Sequence, residues 1–351
     1  MILGAGPAGC MAAIHLARAG AEPVLLDRDA TVGDALCGGF LSWRTAERLR
    51  AVGIGPMDLR AYPVTELALY AGRSEARASL PSPGFGLSRR ALDNALRRRA
   101  VADGARLIID TVRSLQPGLV IGEAGEHSAE TIFLATGKHD VRGHPRPRAA
   151  KDPALGIRIR LRVSDRLCEL IKGRIELHLF RGGYAGIVMQ DGGSGNVCLA
   201  VRKSLLAEAG GSPRRLLDKL AASNPHFADR MAYAEAEQHV DTVGSVPYGY
   251  IAGPSGDGLW RIGDQAAVIP SLAGEGMAIA MASGEAAARS WLAGDDPAIF
   301  QARFAERASR PVRIAGRIWQ IAEREPGAHL LAAVTRGIPS LARAAMALTR
   351  I

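Results

Sequence analysis

Two glycine-rich segments, far apart in the chain, contain the residues best suited to hold a phosphorylated ligand. The first segment reads Gly4-Ala5-Gly6-Pro7-Ala8-Gly9. Glycines at this spacing let a strand turn tightly into a helix, let the backbone approach a pyrophosphate and point a helix N-terminus at its charge. A helical stretch over 8–19, a stop at Gly20 and an apolar run over 24–26 lead to Asp27, where a ribose hydroxyl needs an acceptor. This pattern predicts a βαβ dinucleotide site.

The second segment indicates which dinucleotide is bound. It starts at Gly263-Asp264 and continues through Pro270 to Gly274-Glu275-Gly276-Met277. Asp264 offers an ionised acceptor to the hydroxyls of a ribityl chain. The helix that begins near Gly276 would direct its positive end at a flavin pyrimidine and favour the anionic reduced flavin. Because a nicotinamide enzyme has no evident use for this second segment, we predict FAD as the cofactor.

Three separated motifs share the spacing of one known cofactor signature. They are Gly4-x-Gly6-x-x-Gly9, Ala135-Thr136-Gly137, and Gly263-Asp264 with Pro270-x3-Gly274-x-Gly276. Together they resemble the FAD-binding signature of flavoproteins related to p-hydroxybenzoate hydroxylase. Two further motifs, Leu36-Cys37-Gly38-Gly39 and Gly276-Met277-x2-Ala280-x2-Ser283-Gly284, are most similar to the geranylgeranyl reductase group of that superfamily. The resemblance runs from residue 1 to about residue 292 and implies an FAD-dependent oxidoreductase that receives electrons from NAD(P)H or another reductant.

The resemblance implies FAD contacts from residues in several separate parts of the chain. Arg90 and Asp93 match the family's Arg-x-x-Asp at the start of a helix, where an arginine can reach the pyrophosphate. An exposed helical ion pair is the other interpretation of these two residues. Val112 follows a short strand and is expected to offer backbone groups to adenine. The predicted FAD-binding residues are Gly4, Gly6, Pro7, Ala8, Gly9, Asp27, Cys37, Gly38, Arg90, Val112, Ala135, Gly137, Gly263, Asp264, Gly274, Gly276 and Met277.

Two side chains are candidates for the reaction itself. Cys37 falls in the connection that runs past the isoalloxazine in related flavoproteins, so it is expected to contact the flavin or to donate a proton. A small thiol that only packs is the alternative interpretation. Tyr184 lies in a segment that resembles the reductase group's Tyr-x-Trp-x-Phe-Pro substrate motif, but Gly186 replaces the tryptophan. The substrate is therefore expected to differ from that of the group, and Tyr184 is either a pocket residue or an ordinary strand tyrosine.

Three functions fit these residues. The leading one is hydride transfer from reduced flavin to a carbon–carbon double bond of a hydrophobic isoprenoid, polyketide-derived or aromatic substrate, with a proton from Cys37, Tyr184 or water. The second is monooxygenation in a dry pocket, although the chain lacks the Asp-Gly pair that aromatic hydroxylases carry after the Ala135-Thr136-Gly137 motif. A flavin halogenase is unlikely because Trp-x-Trp-x-Ile-Pro is absent. The third function is electron transfer to a protein partner, which four scattered cysteines do not favour.

Composition excludes several other classes of function. The 351 residues are 48% apolar and 23% charged, as in soluble globular proteins. The net charge is +9, yet aromatics make up only 5% and no recognition module is visible, so nucleic-acid binding is not expected. Cysteines and histidines show no metal-binding spacing, so we expect no metal and a reducing cytoplasm. Because only Met1-Ile2-Leu3 precede the first turn, we expect no signal peptide and expect a few natural residues to be missing.

The order of these motifs predicts an α/β fold. A Rossmann-like FAD-binding domain is expected at 1–61, 83–151 and 246–300, and an inserted antiparallel β-sheet substrate domain at 62–82 and 152–245. Residues 301–351 form a C-terminal helical segment. In that segment Ile338, Leu341, Ala345 and Leu348 share one helix face, whereas Arg343 and Arg350 lie on another. We expect this helix to pack over the pocket, or alternatively to make peripheral contact with a membrane; the oligomeric state is not predicted.

Overall fold

The computed structural model describes residues 1–148, 150–235 and 237–351. Within these ranges the chain forms sixteen strands and eleven α-helices. The strands make a five-stranded sheet, an eight-stranded sheet and a small three-stranded sheet. The predicted α/β fold is confirmed.

The five-stranded sheet is parallel throughout and carries the N-terminal strand at its centre. Its order is β16-β10-β1-β2-β6, with β1 at Ile2–Leu3, β2 at Val24–Asp27, β6 at Arg106–Ile109, β10 at Ile132–Leu134 and β16 at Leu259–Arg261. These strands are short apolar runs, as expected for a parallel sheet covered on both faces. Helices α1 (Pro7–Arg18) and α9 (Pro297–Ala322) contact this sheet, and α3 (Arg89–Ala102) and α8 (Gly276–Leu292) pack against α1.

Two glycines allow α1 to lie close to its neighbours. A Cβ atom on Gly9 would overlap the carbonyl oxygen of Gly4, and one on Gly284 in α8 would overlap the carbonyl oxygen of Ala8. The backbones of α1 and α8 therefore pack directly against each other, without side chains between them. This contact fixes the first turn of α1 against the C-terminal cofactor segment.

The eight-stranded sheet forms the second half of the molecule. Its order is β15-β11-β14-β13-β12-β4-β5-β3, with β3 at Phe40–Leu41, β4 at Tyr62–Ala71, β5 at Ser74–Gly86, β11 at Ala154–Leu161, β12 at Arg174–Phe180, β13 at Gly183–Met189, β14 at Gly195–Arg202 and β15 at Asp241–Val246. Contrary to the prediction of an antiparallel sheet, β4 and β12 pair in parallel. The chain passes through the cofactor half between these two strands, and such a long connection permits parallel pairing. The sheet also recruits 40–41 and extends to Gly86, beyond the 62–82 segment.

The remaining elements surround these two sheets. The small antiparallel sheet contains β7 (Val112–Gln116), β8 (Leu119–Gly122) and β9 (Glu126–Ser128). This sheet was not predicted. The other helices are α2 (Trp43–Ala51), α4 (Asp165–Ile171), α5 (Lys203–Glu208), α6 (Pro213–Ser223), α7 (Pro225–Met231), α10 (Glu325–Gly337) and α11 (Pro339–Leu348).

The last three helices cover one face of the eight-stranded sheet. Trp319 of α9 and Ala328 and Ala332 of α10 are buried against Leu69 and Tyr184 of that sheet. Both α10 and α11 contact β5. Within the described ranges, none of the helices combines the length and the apolar character that crossing a bilayer requires.

A buried ion pair lies between the eight-stranded sheet and α7. Arg230 donates to both carboxylate oxygens of Glu176 at 3.0 and 2.7 Å, and Tyr70 and His178 complete the cluster around that carboxylate. Burial lowers the pKa of His178, whereas its hydrogen bond to Glu176 opposes the shift. His178 is thus a structural residue of the sheet rather than a solvent-facing one.

Candidate functional site

A continuous cavity of about 930 Å³ begins at the carboxyl ends of the parallel strands. Each of the five strands contributes the residue at or directly after its end: Gly4, Asp27, Asp110, Ala135 and, two residues after β16, Gly263. In open parallel sheets, ligands bind in the crevice outside these strand ends. The cavity then continues to one face of the eight-stranded sheet.

The first turn of α1 has the features of an anion site. Gly6 is its N-cap residue, makes no side-chain capping bond and precedes Pro7 at the first helical position. The Ala5 amide donates to Asp27 Oδ2 at 2.6 Å, which brings the end of β2 against this turn. Asp27 Oδ1 accepts from the Asp29 amide and lies 3.2 Å from an Arg97 nitrogen. The uncapped helix amides and the fixed carboxylate fit the pyrophosphate and ribose of a dinucleotide.

At the start of α3, the arginine that lines the cavity is not the predicted one. Arg90 is exposed and does not line the cavity, and its amide donates to Asp34. Arg89, the preceding residue, lines the cavity and donates twice to Asp93, at 2.8 and 2.6 Å. Residues four apart share a helix face, so Arg89 rather than Arg90 pairs with Asp93. Arg89 also approaches the Gly6 turn, which places its guanidinium where a pyrophosphate would bind.

The second glycine-rich segment begins in contact with this turn, because a Cβ atom on Gly263 would lie 3.0 Å from the Ala8 side chain. Gly263 has a φ of +64°, and its amide donates to Ser283 Oγ in α8 at 2.7 Å. Asp264 lines the cavity, as predicted for the ribityl acceptor. The side-chain amide of Gln265 donates to Thr136 Oγ1 and to the carbonyl oxygens of Gly137 and His139. These bonds tie the segment to the loop that follows β10, so two of the three predicted motifs are joined directly.

The start of α8 leaves room for a ring system. Gly274 has a φ of +66°, and Glu275 makes no side-chain bond that caps the helix. A Cβ atom on Gly276 would meet nothing within 4 Å, and both Gly276 and Met277 line the cavity. An uncapped helix N-terminus beside open space fits the predicted position of the flavin pyrimidine.

Cys37 lies on an irregular loop held against the eight-stranded sheet. Lys138 donates to the carbonyl oxygen of Leu36 at 2.7 Å, and Asn196 of β14 donates to the carbonyl oxygens of Cys37 and Gly38 at 3.1 and 2.8 Å. Arg158 of β11 holds the carbonyl oxygen of Ala35. The thiol of Cys37 is partly exposed and lines the cavity at the boundary between its two halves. Gly38 and Val112 also line the cavity.

Tyr184 on β13, a predicted candidate, is buried and lines the cavity beside Tyr248, Ser271 and Cys198, which were not predicted. Its hydroxyl donates to Ser271 Oγ at 2.8 Å, and the hydroxyl of Tyr248 lies 2.6 Å from the same oxygen. Burial raises the pKa of Tyr184 well above its ordinary value, so the phenol is protonated at neutral pH. Cys198 of β14 is paired with Gly186, and burial raises its pKa to about 12. The register of β13 and β14 could have identified Cys198, but Tyr248 and Ser271 have no local sequence signal.

The rest of the chamber beyond the cofactor half is mainly apolar. The eight-stranded sheet contributes leucine and isoleucine side chains on one face, and the C-terminal helices close the opposite side. Gly186, which replaces the tryptophan of the reductase motif, also lines the cavity. The apolar side chains from the sheet and helices are those of Leu67, Leu69, Leu80, Ile175, Leu177, Leu179, Ala315, Ile318, Leu331, Val334, Ala345 and Met346.

Arg350, near the end of the chain, has a buried side chain and does not belong to the predicted basic surface. The Arg350 side chain is only 7% exposed, donates to Glu275 Oε1 at 2.5 Å and to the carbonyl oxygen of Ala273 at 2.7 Å, and lies over the Trp43 ring. The chain folds back onto the start of α8 here, so Arg350 cannot share an exposed face with Arg343. Leu341 lines the cavity and is 52% exposed, which places an opening beside α11.

Comparisons with known proteins agree with this site. Residues 1–111 match the family model of an FAD binding domain. The chain is 29% identical to digeranylgeranylglycerophospholipid reductase 2 of Methanopyrus kandleri, over 88% of this chain and 81% of that protein. It is 24% identical to menaquinone reductase of Mycobacterium tuberculosis strain H37Rv, over 91% of this chain and 82% of that protein.

Among solved structures, the flavin-dependent brominase Bmp2 superposes with a TM-score of 0.79 at 17% identity and covers 99% of this chain and 92% of its own. This likeness concerns the fold. The predicted fold is therefore supported by the solved structure, and the family model and the relatives confirm the resemblance to FAD-binding reductases, FAD as the cofactor and an FAD-dependent oxidoreductase as the function.

Proposed function

We propose that this chain uses reduced FAD to saturate a carbon–carbon double bond of a hydrophobic substrate. The observation that carries the proposal is the continuous cavity, in which a cofactor cleft opens directly into an apolar chamber under the C-terminal helices. Both curated relatives reported above are named as reductases. An isoprenoid, polyketide-derived or aromatic skeleton would bury its carbon atoms against the leucine-rich face of the sheet.

The residues of the cofactor half would hold FAD along its length. The α1 turn from Gly4 to Gly9 would bind the pyrophosphate, Asp27 and Val112 the adenosine, and Asp264 the ribityl hydroxyls. Arg89 takes the role that the sequence analysis gave to Arg90. The start of α8 would stabilise negative charge on the pyrimidine. When bound and reduced by NAD(P)H or another donor, FAD supplies the hydride.

The protein must then supply a proton and keep water from the reacting carbon. Cys37, on the cofactor loop, and Tyr184, on the substrate sheet, both line the cavity. Cys37 could donate a proton through its S–H bond, and Tyr184 could donate one through its O–H bond, since burial raises the pKa of that phenol. Helices α9 to α11 line one side of the chamber and would limit the access of water to it.

Anaerobic product analysis tests the proposal. Purified holoprotein is photoreduced without oxygen and mixed with candidate alkenes, while flavin reoxidation is followed by absorbance and the product by mass spectrometry. Reoxidation with a mass gain of two hydrogen atoms supports alkene reduction. A hydroxylated product that forms only after oxygen is admitted would instead establish the monooxygenase alternative, which an enclosed apolar chamber also suits. Reoxidation only by a protein acceptor would establish an electron-transfer protein.

We further propose that the chamber opens towards a lipid surface. Three apolar side chains of the C-terminal region are exposed: Ile338 by 51%, Leu341 by 52% and Leu348 by 43%. Arg343 is exposed among them. This combination suits weak peripheral contact with anionic lipid by an otherwise cytoplasmic enzyme. A hydrophobic substrate could then enter beside Leu341 without crossing water.

A further inference from the structure

The apolar chamber contains one cluster of hydroxyl groups whose position is specific. Tyr184 and Tyr248 both contact Ser271 Oγ, at 2.8 and 2.6 Å. All three residues line the cavity. Trp319 packs against both rings, with centroids 5.6 Å from Tyr184 and 5.8 Å from Tyr248. The aromatic contacts therefore hold the two phenols in place.

The cluster lies where the cofactor half meets the substrate half. Ser271 begins the short 3-10 turn Ser271–Ala273, directly before the glycines that start α8. The stretch that carries Tyr248 is bonded to the cofactor segment, because the Gly249 amide donates to the carbonyl oxygen of Val268 at 2.8 Å. Tyr184 comes from the substrate sheet. A group bound to these hydroxyls is thus next to the predicted flavin position.

One O–H group of this cluster has no acceptor within the cluster. Three hydroxyls have three O–H protons, and the two contacts within the cluster use two of them. The backbone of Ser271 also donates to the Tyr248 oxygen, a contact that uses none of the three O–H protons. One O–H is therefore available to an acceptor in the cavity, and an acceptor there would relieve the cost of a buried donor without a partner.

We infer that this cluster binds a carbonyl oxygen of the substrate, conjugated to the double bond that is reduced. The inference rests on the proposed function and names the substrate class as an α,β-unsaturated ketone or quinone with a hydrophobic body. Tyr248 is the donor to that oxygen: Tyr184 donates its O–H to Ser271, and Ser271 in turn can donate to Tyr248, which leaves the O–H of Tyr248 for the substrate. Tyr184 and Ser271 are positioning residues that set the direction of this hydroxyl.

Such a substrate matches the acidity of the site. A phenol protonates an isolated alkene poorly, but it can hydrogen-bond a carbonyl oxygen strongly. When hydride adds to the β carbon, a C–H bond forms, the carbon–carbon π bond breaks and its electron pair moves onto the carbonyl oxygen. A donor placed at that oxygen stabilises the developing charge. A proton from solvent, passed through Cys37 or the hydroxyls, then bonds to the α carbon, and the saturated ketone has gained two electrons and two hydrogen atoms overall.

The test compares two probes on prereduced holoprotein without oxygen. One is a long-chain α,β-unsaturated methyl ketone, and the other is the matched long-chain alkene without the carbonyl group. We expect the ketone to reoxidise the flavin at least about 100-fold faster. Tyr184→Phe and Tyr248→Phe should each slow reaction with the ketone about 10- to 100-fold at unchanged FAD content. Tyr250→Phe is the matched control, since Tyr250 lies on the same segment and does not line the cavity.

A binding measurement separates this inference from the proposed function. The saturated ketone is titrated into oxidised holoprotein, and the flavin spectrum reports its affinity. Tyr248→Phe should weaken binding about 10-fold, and Tyr250→Phe should not change it. Equal rates with both probes, or equal ketone affinity in Tyr248→Phe and wild type, overturn the inference. If neither probe is reduced, alkene reduction fails, and the titration alone then decides whether the hydroxyls recognise a carbonyl group.

Discussion

The cofactor half and the substrate half of the cavity are built on different principles. In the cofactor half, backbone conformation decides the geometry: Gly4 and Gly263 have φ angles of +110° and +64°, and Gly9 has no space for a Cβ atom. In the substrate half, the wall consists of ordinary leucine and isoleucine side chains from a sheet and three helices. A cofactor site of this kind depends on a few positions that tolerate no change, whereas the substrate wall can change one residue at a time.

The largest loss of stability and of bound FAD is expected from Gly9→Ala, which tests whether the cofactor half tolerates an added side chain. The added Cβ atom would overlap the Gly4 carbonyl, so either the turn or the packing of α1 on α8 must shift. We expect the free energy of unfolding to fall by about 1–3 kcal/mol, with loss of bound FAD. Gly316→Ala in α9 is the control, because its Cβ would meet nothing within 4 Å. Urea unfolding and flavin absorbance measure both quantities, and wild-type values for Gly9→Ala would refute the packing argument.

A smaller effect is expected from Asp264→Ala. Removing an ionised acceptor from the ribityl hydroxyls should weaken FAD binding by about 1.5–3 kcal/mol, or roughly 10- to 100-fold. Asp264→Asn keeps a neutral acceptor of the same shape and should lose less affinity. Fluorescence titration of the apoprotein with FAD gives the two constants. Full affinity in Asp264→Ala would remove Asp264 from the cofactor site.

The cofactor half was the more predictable of the two. Glycine motifs and strand ends are local, so the spacing in 4–9 and 263–277 predicts FAD contacts, and both segments contribute residues that line the cavity. The assignment of Arg90 depends on helix phase, because a shift of one residue turns a side chain by about 100° around the axis. Arg89, rather than Arg90, therefore faces the cavity.

The substrate half was less predictable because its contacts join distant segments. Tyr248 and Ser271 meet Tyr184 only once the cofactor segment has folded against the sheet. The parallel pairing of β4 with β12 depends in the same way on a long connection through the other half of the molecule. Arg350 was placed on a surface by helix periodicity, but its partner Glu275 lies far away in sequence. Periodicity reports which residues share a face and does not report what that face meets.

Cys37→Ser tests the boundary between the two halves. The loop around Cys37 is held by backbone carbonyl contacts to Lys138 and Asn196, which the substitution does not touch. FAD content should therefore stay within experimental error, while the flavin absorbance maximum or the rate of substrate-driven reoxidation changes several-fold. Cys168→Ser on α4, outside the cavity lining, is the control. If both variants have the wild-type spectrum and turnover, Cys37 is a packing residue.

The smallest effect is expected at the rim of the substrate half, where Arg343→Glu should weaken binding to anionic liposomes. Each arginine near such a surface contributes about 1 kcal/mol, so reversing the charge should reduce the partition coefficient by roughly 5- to 30-fold at low salt. Arg350 is unsuitable for this test because it is buried against Glu275 and its replacement would disturb the start of α8.

Arg166→Glu is the matched control for this last variant. It makes the same change in net charge at an exposed position on α4, remote in sequence from the rim formed by Ile338, Leu341 and Leu348. A local contact predicts that Arg343→Glu binds liposomes much less well than Arg166→Glu, at equal FAD content, and that added salt reduces the difference. Equal losses in both variants would indicate attraction by net charge alone. If the wild type ignores anionic liposomes at low salt, α11 only covers the chamber, and the exposed leucines mark an entrance for a substrate that arrives from solution or on a carrier.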